Sequence, residues 1–497
     1  MKELKTKQKY TTTFLERGSF WFFGIGMLFY YQIVGSYLNT YLLLRGVDLG
    51  KVALIFLGIK IWDAVNDPLF AFIFDRVKFK KEKCLPWLRI AAIIMPLASM
   101  AVFNMPANWS ETGKLIWFAV TYMLWDAAYT VCDVPFFSMT TTMTVNMDER
   151  NTLFSVARVF HGAGTLLCTT AMTWLVGENV GMNFGLASII VCGIGALFTI
   201  PLCFLGKERY AIPPKQEDQE EHKFSLKEMF SYLKQNKYLT MMYGCQILCG
   251  ICATGGAAGM VGTYYLYGQT SFGIITTWLN MIPGPVLGML LPLILKKFDR
   301  FKLYMACNLF TFGWSILNFA AYFLGFLTVP WAICTSIVTA IPATLSGLIA
   351  YMFTLDALEY GKYKTGIDAT GINFAVQTFS AKIPGAFSTA LGTFLLSLTS
   401  FVLVEADSIA DLANHVQTQQ AITEMWLVTQ LPALFSCAVA YILLLCFYKL
   451  RSKDVAIMAK YNAGEITREE CDAQLSRQYR FQEAESWHLL RKNSLPT

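Results

Sequence analysis

The amino-acid sequence predicts an all-α integral membrane protein in which twelve transmembrane helices form two six-helix bundles. Two observations predict this fold class. Only 15% of the 497 residues are charged and 55% are apolar, whereas a soluble protein usually carries about 25% charged residues. In addition, runs of about 20 mostly apolar residues, the length that crosses a bilayer, recur to the end of the chain.

These runs give the predicted spans and their grouping. The spans cover residues 19–44, 48–74, 87–106, 115–141, 153–176, 183–205, 237–266, 271–296, 301–324, 329–355, 370–399 and 422–448. The polar stretch 206–236 divides them into an N-terminal bundle, 19–205, and a C-terminal bundle, 237–448. Residues 1–18 and 449–497 form polar ends. Six spans on each side of a central loop are typical of a transporter whose substrate site lies between two bundles.

Lysine and arginine residues predict the orientation of the spans. They cluster on one side of the twelve-span scheme, in the N-terminal segment, the loop after the second span, the central loop and the tail. Because such loops face the cytoplasm, we expect both termini there and a multi-pass protein of a bacterial cell (plasma) membrane. This bias explains the net charge of +6, so the expected partner is the lipid bilayer and not nucleic acid. We expect a functional monomer.

The remaining motifs do not predict an enzyme or a bound cofactor. The four histidines form no ligand pair, and no GxxxxGK[ST] phosphate-binding loop is present. Cys249 and Cys252 form a CxxC spacing in an apolar span. Packing is their expected role, and redox or metal chemistry is the alternative.

Charged residues lie inside the second predicted span. Lys60, Asp63 and Asp67 are spaced by three and four residues, so they share one helix face. A charge at the centre of a membrane helix costs about 2.5–3.5 kcal/mol on insertion scales. Such residues therefore usually face a cavity, pair with each other or lie on an ion path.

Further polar side chains lie in the fourth, fifth and eleventh spans. They are Asp126, Thr130, Asp133, Arg158, Gln377, Thr378 and Lys382. At a rise of about 1.5 Å per residue, Asp67, Asp133 and Arg158 each lie about 12 Å inside the membrane. Three charges from three helices at one depth predict a single polar cavity.

Two interpretations of these charges remain open. Hard cations prefer oxygen ligands, so the carboxylates of Asp63 and Asp67 with the Thr130 hydroxyl can form a sodium site. A proton can replace sodium when desolvation and like charge shift a carboxyl pKa. Alternatively, the charges form structural pairs such as Lys60 with Asp63, or Arg158 with Asp133. Clustering on four helices favours the functional interpretation.

At these residues the sequence resembles a known family. The second span carries WDAVNDP (62–68) before Asp75 and Arg76, and the fourth carries YTVCDVPFFS (129–138). These motifs are similar to those of the glycoside–pentoside–hexuronide:cation symporters, the melibiose-permease-like branch of the major facilitator superfamily. LDALEYGKYKTG (355–366) resembles the segment before helix eleven of that family. The resemblance implies the major facilitator fold.

The resemblance also implies roles for matching residues. Asp63 and Asp67 match the cation-binding pair, which would bind Na⁺ in a sodium-coupled protein, and Thr130 matches its supporting hydroxyl. Asp75 and Arg76 match a gating loop that stabilises one transport state. The matched substrate positions are Asp133, Phe137, Arg158, Tyr351, Gln377, Thr378 and Lys382.

The chain departs from the family at two substrate positions. Melibiose-type members carry an aspartate on helix one, where this chain has GMLF at 26–29. Asp126 instead occupies a helix-four position usually held by a small residue. We expect that substrate contacts have moved to Asp126; pairing of Asp126 with Lys382 is the structural alternative. Phe137 replaces a tryptophan, so it can stack on a sugar but lacks the indole donor.

The predicted function is therefore symport of a small sugar or glycoside, coupled to Na⁺ or H⁺, by alternating access. No cofactor other than the coupling ion is expected. The alternative is sodium-dependent translocation of a lysolipid, which vertebrate relatives of the family perform and which an aromatic-rich interior could accept. The polar face of the fourth span favours the hydroxylated solute.

Overall fold

The computed structural model describes residues 10–77, 79, 82–210, 232–366 and 370–475. These residues form sixteen α-helices and two short 3₁₀ helices. In chain order the α-helices are α1 (Phe14–Leu43), α2 (Leu49–Arg76), α3 (Leu85–Phe103), α4 (Glu111–Met143), α5 (Met147–Val176), α6 (Phe184–Leu205), α7 (Lys237–Ile251), α8 (Gly259–Tyr267), α9 (Phe272–Met281), α10 (Pro283–Lys297), α11 (Arg300–Phe323), α12 (Val329–Thr365), α13 (Thr370–Ser397), α14 (Gln419–Phe447), α15 (Ser452–Asn462) and α16 (Arg468–Gln474). The 3₁₀ helices are Thr254–Gly256 and Ala410–Asn414.

Helical segments coincide with each of the twelve predicted spans. Eight segments of the described chain are long and apolar enough to cross a membrane. The other four predicted spans correspond to α1, α2, α11 and α13, which are 24 to 30 residues long. The charges of α2 lower its hydropathy without breaking the helix.

Polar caps set where many of these helices begin. Thr13 accepts a hydrogen bond from the backbone of Glu16, whose carboxylate in turn accepts from the backbone of Thr13. Asp48, Ser110 and Asn146 cap α2, α4 and α5 in a similar way. Each cap satisfies backbone N–H groups that have no partner within the helix.

Three segments differ from the uninterrupted spans that the sequence predicts, and one of them is the eighth span, which is divided at Ile282 between α9 and α10. The seventh span is broken at 252–258, between α7 and α8. The tenth span, predicted to end at 355, continues as α12 to Thr365. The tail helices α15 and α16 follow, and α15 packs on α12.

The helices form two halves that meet along three helix pairs. Helices α1 to α6 share one large buried core, and helices α7 to α14 contain further cores. Between the halves, α1 packs on α8, α2 on α13, and α5 on α9. We call the end that carries the central loop and the tail the terminal end, and the opposite end the distal end.

The distal end is closed by the loop 398–418, which crosses from the C-terminal half onto the N-terminal half. The backbone N–H of Ala406 donates to the carbonyl of Leu44 at 2.9 Å, and that of Ile409 donates to the carbonyl of Val176 at 3.2 Å. These backbone bonds fix the loop over α1 and α5. We call this set of contacts between the halves the distal seal.

Two ion pairs reinforce the distal seal. Arg45 Nη1 lies 2.9 Å from Asp407 Oδ1, and Lys114 Nζ lies 2.8 Å from Glu405 Oε1. The two basic side chains are only 10% and 9% exposed, whereas Asp407 and Glu405 are 65% and 73% exposed. Pairs with such exposed carboxylates are screened by solvent, so they orient the loop more than they stabilise it.

Glu178 joins the halves from the other side of the distal seal. Its carboxylate accepts hydrogen bonds from the backbone N–H groups of Thr270 and Ser271 at 3.0 and 2.9 Å, and from both hydroxyls. Partial burial raises the pKa of Glu178, but the hydrogen bonds from Ser271 and Thr270 outweigh it and lower the pKa to about 2. The carboxylate is therefore charged at physiological pH.

Candidate cation and solute site

A hydrogen-bond network joins α2 to α4 in the interior of the N-terminal half. The Asn66 side-chain amide donates to Thr130 Oγ1 at 2.9 Å, and Thr130 Oγ1 donates to Asp67 Oδ1 at 3.0 Å. Asn66 and Thr130 are 7% and 4% exposed. Two of the three predicted cation-binding residues, Asp67 and Thr130, are therefore in direct contact.

Asp63 lies one turn before this network and faces Lys60. Lys60 Nζ is 3.6 Å from Asp63 Oδ2, and both side chains are 26% exposed. That distance exceeds a hydrogen bond, so the pair is loose. The structural pairing considered from the sequence is thus present, and it leaves carboxylate oxygen available for another ligand.

Asp126 lies beside the same network on α4. It is 7% exposed, and its backbone carbonyl is 3.3 Å from Thr130 Oγ1. We call the carboxylates of Asp63 and Asp67 on α2 and of Asp126 on α4 the acidic group.

Asp133 lies on the side of α4 that faces α1. Asp133 lies one helical turn after Tyr129, on the same face of α4. The ring of Tyr129 lies 5.1 Å from the ring of Tyr31 on α1. Helix α1 thus supplies an aromatic side chain beside Tyr129.

Arg158 and Phe137 belong to an aromatic group between α4 and α5. The Arg158 guanidinium lies 4.9 Å from the centre of the Phe154 ring, and Phe154 lies 5.7 Å from Phe137. The centre of the His161 ring lies 6.1 Å from the centre of the Phe137 ring. The buried Nε2 of His161 has no hydrogen-bond partner within the described residues. The structure thus assembles a basic and aromatic surface around Phe137.

Tyr351 and Gln377 lie together in the C-terminal half. Both line a cavity of about 390 Å³, with Tyr243, Gln246 and Asn308 among the other walls. The structure therefore distributes the predicted substrate residues over the acidic group, the aromatic surface and this cavity.

The predicted gating residue Arg76 is described, whereas the side chains of three other predicted residues are not. The side chains of Asp75, Thr378 and Lys382 lie outside the described part of the structure. Arg76 is exposed at the end of α2, with its guanidinium 3.9 Å from the centre of the Phe72 ring.

The residues predicted to bind a cation lie on α2 and α4. No group of three or more His, Cys, Asp or Glu side chains converges as metal ligands within the described residues. Asp63, Asp67 and the Thr130 hydroxyl offer oxygen only, which suits Na⁺ rather than a transition metal.

Sequence reasoning missed residues that orient this set. Asn66 carries no charge, so it was not counted among the membrane-embedded charges, although it lies three residues after Asp63 and on the same face. Tyr129 and Tyr31 also carry no charge, and their contact between α4 and α1 is not visible in the spacing of the sequence. Buried polar groups inside a predicted span were the available signal for Asn66.

Comparison with known proteins identifies the family. The family described as MFS/sugar transport protein matches residues 19–452. The chain belongs to this family. It is 27% identical over 371 residues to the inner membrane symporter YicJ of Escherichia coli, covering 72% of this chain and 77% of that protein. It is 24% identical over 396 residues to a glucuronide carrier protein homolog of Escherichia coli, covering 78% and 81%.

A solved structure confirms the fold. The nucleoside transporter NupG superposes with a TM-score of 0.60 at 13% identity, covering 88% of this chain and all of that chain. This chain, a member of the MFS family, therefore has the predicted arrangement of twelve transmembrane helices in two bundles. It is a multi-pass membrane transporter rather than an enzyme.

Proposed function

We propose that the transporter is a symporter that couples the movement of Na⁺ or H⁺ to that of a glycoside or other small sugar. The observation that carries the proposal is the Asn66–Thr130–Asp67 network, which holds a carboxylate in the buried interior between α2 and α4. A carboxylate there is costly unless it serves an ion or a partner. Family membership and the glucuronide carrier homolog support a sugar-like solute.

In this proposal the two ligands share helix α4. Asp63, Asp67 and Thr130 bind the cation, while Asp126, Asp133, Phe137 and Arg158 contact the solute. Tyr351, Gln377, Thr378 and Lys382 complete the solute site from the C-terminal half. Both sets of binding residues include residues of α4. Binding of the cation therefore preorganises the solute site, and the reverse, with a coupling free energy of about 1–3 kcal/mol.

The orientation belongs to the same proposal. With both termini in the cytoplasm, the distal seal faces outside, and Asp75 and Arg76 stabilise one of the alternating states from the cytoplasmic side. The protein acts as a monomer in the bacterial cell membrane.

Uptake into proteoliposomes tests the proposal. Labelled glucuronides and neutral glycosides should accumulate only when a sodium or proton gradient is imposed. Asp67→Asn should abolish this gradient dependence, because it removes the charge that binds the cation. Asp48→Asn is the matched control, since asparagine also caps a helix and Asp48 caps α2 at the distal end.

Two results would contradict the proposal. If uptake by the Asp67→Asn variant depends on the cation as uptake by the parent protein does, Asp67 has no role in coupling. Gradient-driven uptake of lysophosphatidylcholine, with none of any glycoside, would favour the lysolipid alternative.

A further inference from the structure

The break between α7 and α8 opens onto a cavity that lies between the two halves. The break starts after Ile251, about 21 Å along α7 at a rise of about 1.5 Å per residue, and α8 resumes at Gly259. Non-helical backbone at membrane depth is tolerated only where it is buried in protein or lines a cavity. Ala253, Thr254 and Gly256 of the break line this cavity.

The cavity adjoins the distal seal, because Thr270, which donates to Glu178, is one of its lining residues. Met260 N–H donates to Thr40 Oγ1 at 3.0 Å in its roof. Gly259 has a φ of +51°, and a Cβ there would lie 2.2 Å from the Thr40 hydroxyl, so only glycine permits this approach of the halves. The volume of about 430 Å³ is within the range of about 300–1,000 Å³ of small-molecule sites.

The walls are polar but uncharged. Thirteen of the twenty lining residues carry a hydroxyl or an amide, and none of the twenty carries a charge. They come from α1, α5, the break with α8, α9 and α13. The cavity is therefore distinct in chemistry from the acidic group between α2 and α4.

The hydroxyls of these walls are acceptors toward the cavity. Thr277 and Thr276 donate to the carbonyl of Gly273 at 2.7 and 3.0 Å, and Thr389 donates to that of Gly385 at 3.3 Å. A hydroxyl has one donor hydrogen and two acceptor lone pairs, so the lone pairs remain for a ligand. A ligand rich in O–H donors fits such walls. A cation does not, because no carboxylate is present to balance it.

We propose that this cavity binds an uncharged, polyhydroxylated ring, that is, a neutral sugar unit of the solute. The inference rests on the proposed function and adds a second subsite to it, beyond the charged residues. Since both halves line the cavity, an occupant bridges them beside the distal seal. Occupancy therefore stabilises the sealed state.

Equilibrium binding to the purified full-length protein tests this site. The probes are methyl β-galactoside, lactose and raffinose, measured by titration calorimetry. Thr277→Val should weaken binding of these sugars by about three- to tenfold, the worth of a neutral hydrogen bond. Thr339→Val is the matched control, because Thr339 also donates to a carbonyl one turn earlier at 2.7 Å and is not among the lining residues.

A second variant tests the shape of the cavity. A Cβ at Gly256 meets nothing within 4 Å, so Gly256→Ala should fold normally and narrow the cavity. We expect weaker sugar binding, whereas Gly313→Ala, which also meets nothing within 4 Å, should leave binding unchanged.

The outcomes separate this inference from the proposed function. Absence of binding by any of the three sugars, or equal binding by Thr277→Val, Gly256→Ala and the parent, would overturn the subsite. An equal loss in Thr339→Val would also overturn it, since the effect would then be general. Binding that depends on Thr277 but no gradient-driven accumulation would instead refute symport and keep the subsite.

Discussion

At the scale of the residue, the Thr130 hydroxyl has one hydrogen and two possible hydrogen-bond acceptors. Its hydroxyl lies 3.0 Å from Asp67 Oδ1 and 3.3 Å from the Asp126 carbonyl. The Asn66 amide donates to the same oxygen, and so it occupies one lone pair and favours donation toward Asp67. Asn66 is thus a positioning residue for the proposed cation site.

Substitutions at these residues should change cation affinity. Thr130→Val should raise the half-saturating cation concentration for uptake about tenfold or more, because a hydrogen bond to a charged group is worth about 1.5–3 kcal/mol. Asn66→Ala should raise it about threefold, since only the orientation of the hydroxyl is lost. Uptake measured over a range of sodium concentration and pH gives these values.

The control for this prediction is Thr121→Val. Thr121 is also a buried threonine of α4, and it donates to the Trp117 carbonyl at 2.7 Å. Equal half-saturating concentrations for Thr130→Val and Thr121→Val would mean that Thr130 does not support the cation.

At the scale of the element, long apolar runs predicted the spans well because bilayer thickness sets a minimum length. The break at 252–258 was not predicted, since its alanines and glycines are as apolar as an unbroken helix. The cavity between the two halves was not predicted either, for another reason. Its walls come from several helices, and Thr277, Ser388 and Ser36 become neighbours only through tertiary packing.

The acidic group was predicted because it follows helical spacing along α2 and α4. The network partner Asn66 was missed because only charges were counted. The docking of the tail was also missed, since α15 and α16 have no long apolar run. Contacts with α12 hold them instead.

The tail docks on the extension of α12 through specific polar contacts. Tyr363 donates its hydroxyl to Asp472 Oδ1 at 2.6 Å, and the Arg468 guanidinium lies 4.2 Å from the centre of the Tyr363 ring. Asn462 donates to Glu359 Oε2 at 2.7 Å. These contacts explain why α12 remains helical beyond its apolar span.

Tyr363→Phe should loosen the tail. Loss of one hydrogen bond, worth about 1 kcal/mol, should speed amide exchange in α16 by about fivefold while leaving α7 to α11 unchanged. Hydrogen exchange with mass spectrometry measures this. Tyr461→Phe is the control, because it keeps the ring under Arg468; equal exchange in both variants would refute the role of the Tyr363 hydroxyl.

At the scale of the whole molecule, the distal seal holds the halves together from two sides. Loop 398–418 does so through backbone bonds and ion pairs, and Glu178 does so through Thr270 and Ser271. The pKa of Glu178 is about 2, below its ordinary 4.5. The stabilisation of the distal seal by the Glu178 carboxylate is therefore complete above pH 4.5 and is lost as the pH falls through about 2.

Glu178→Gln should loosen the distal seal. A neutral amide accepts weaker hydrogen bonds than a carboxylate, so the amides of 270–271 should exchange faster, and those of Ala406 and Ile409 should follow when the halves part. Between pH 5 and 8 the parent should show no change in protection after correction for intrinsic exchange. Glu111→Gln, which removes an exposed ion pair with Lys51 within one half, should have no such effect.

The backbone hydrogen bonds of loop 398–418 give the transporter a tolerance to saline surroundings. Dissolved ions shield Asp407 and Glu405 within a Debye length of about 8 Å at physiological ionic strength, so their pull on Arg45 and Lys114 fades as the medium becomes more concentrated. The main-chain bonds of Ala406 and Ile409 carry no net charge and are not shielded in this way. The closure at the distal end should therefore hold in brine as it does in fresh water.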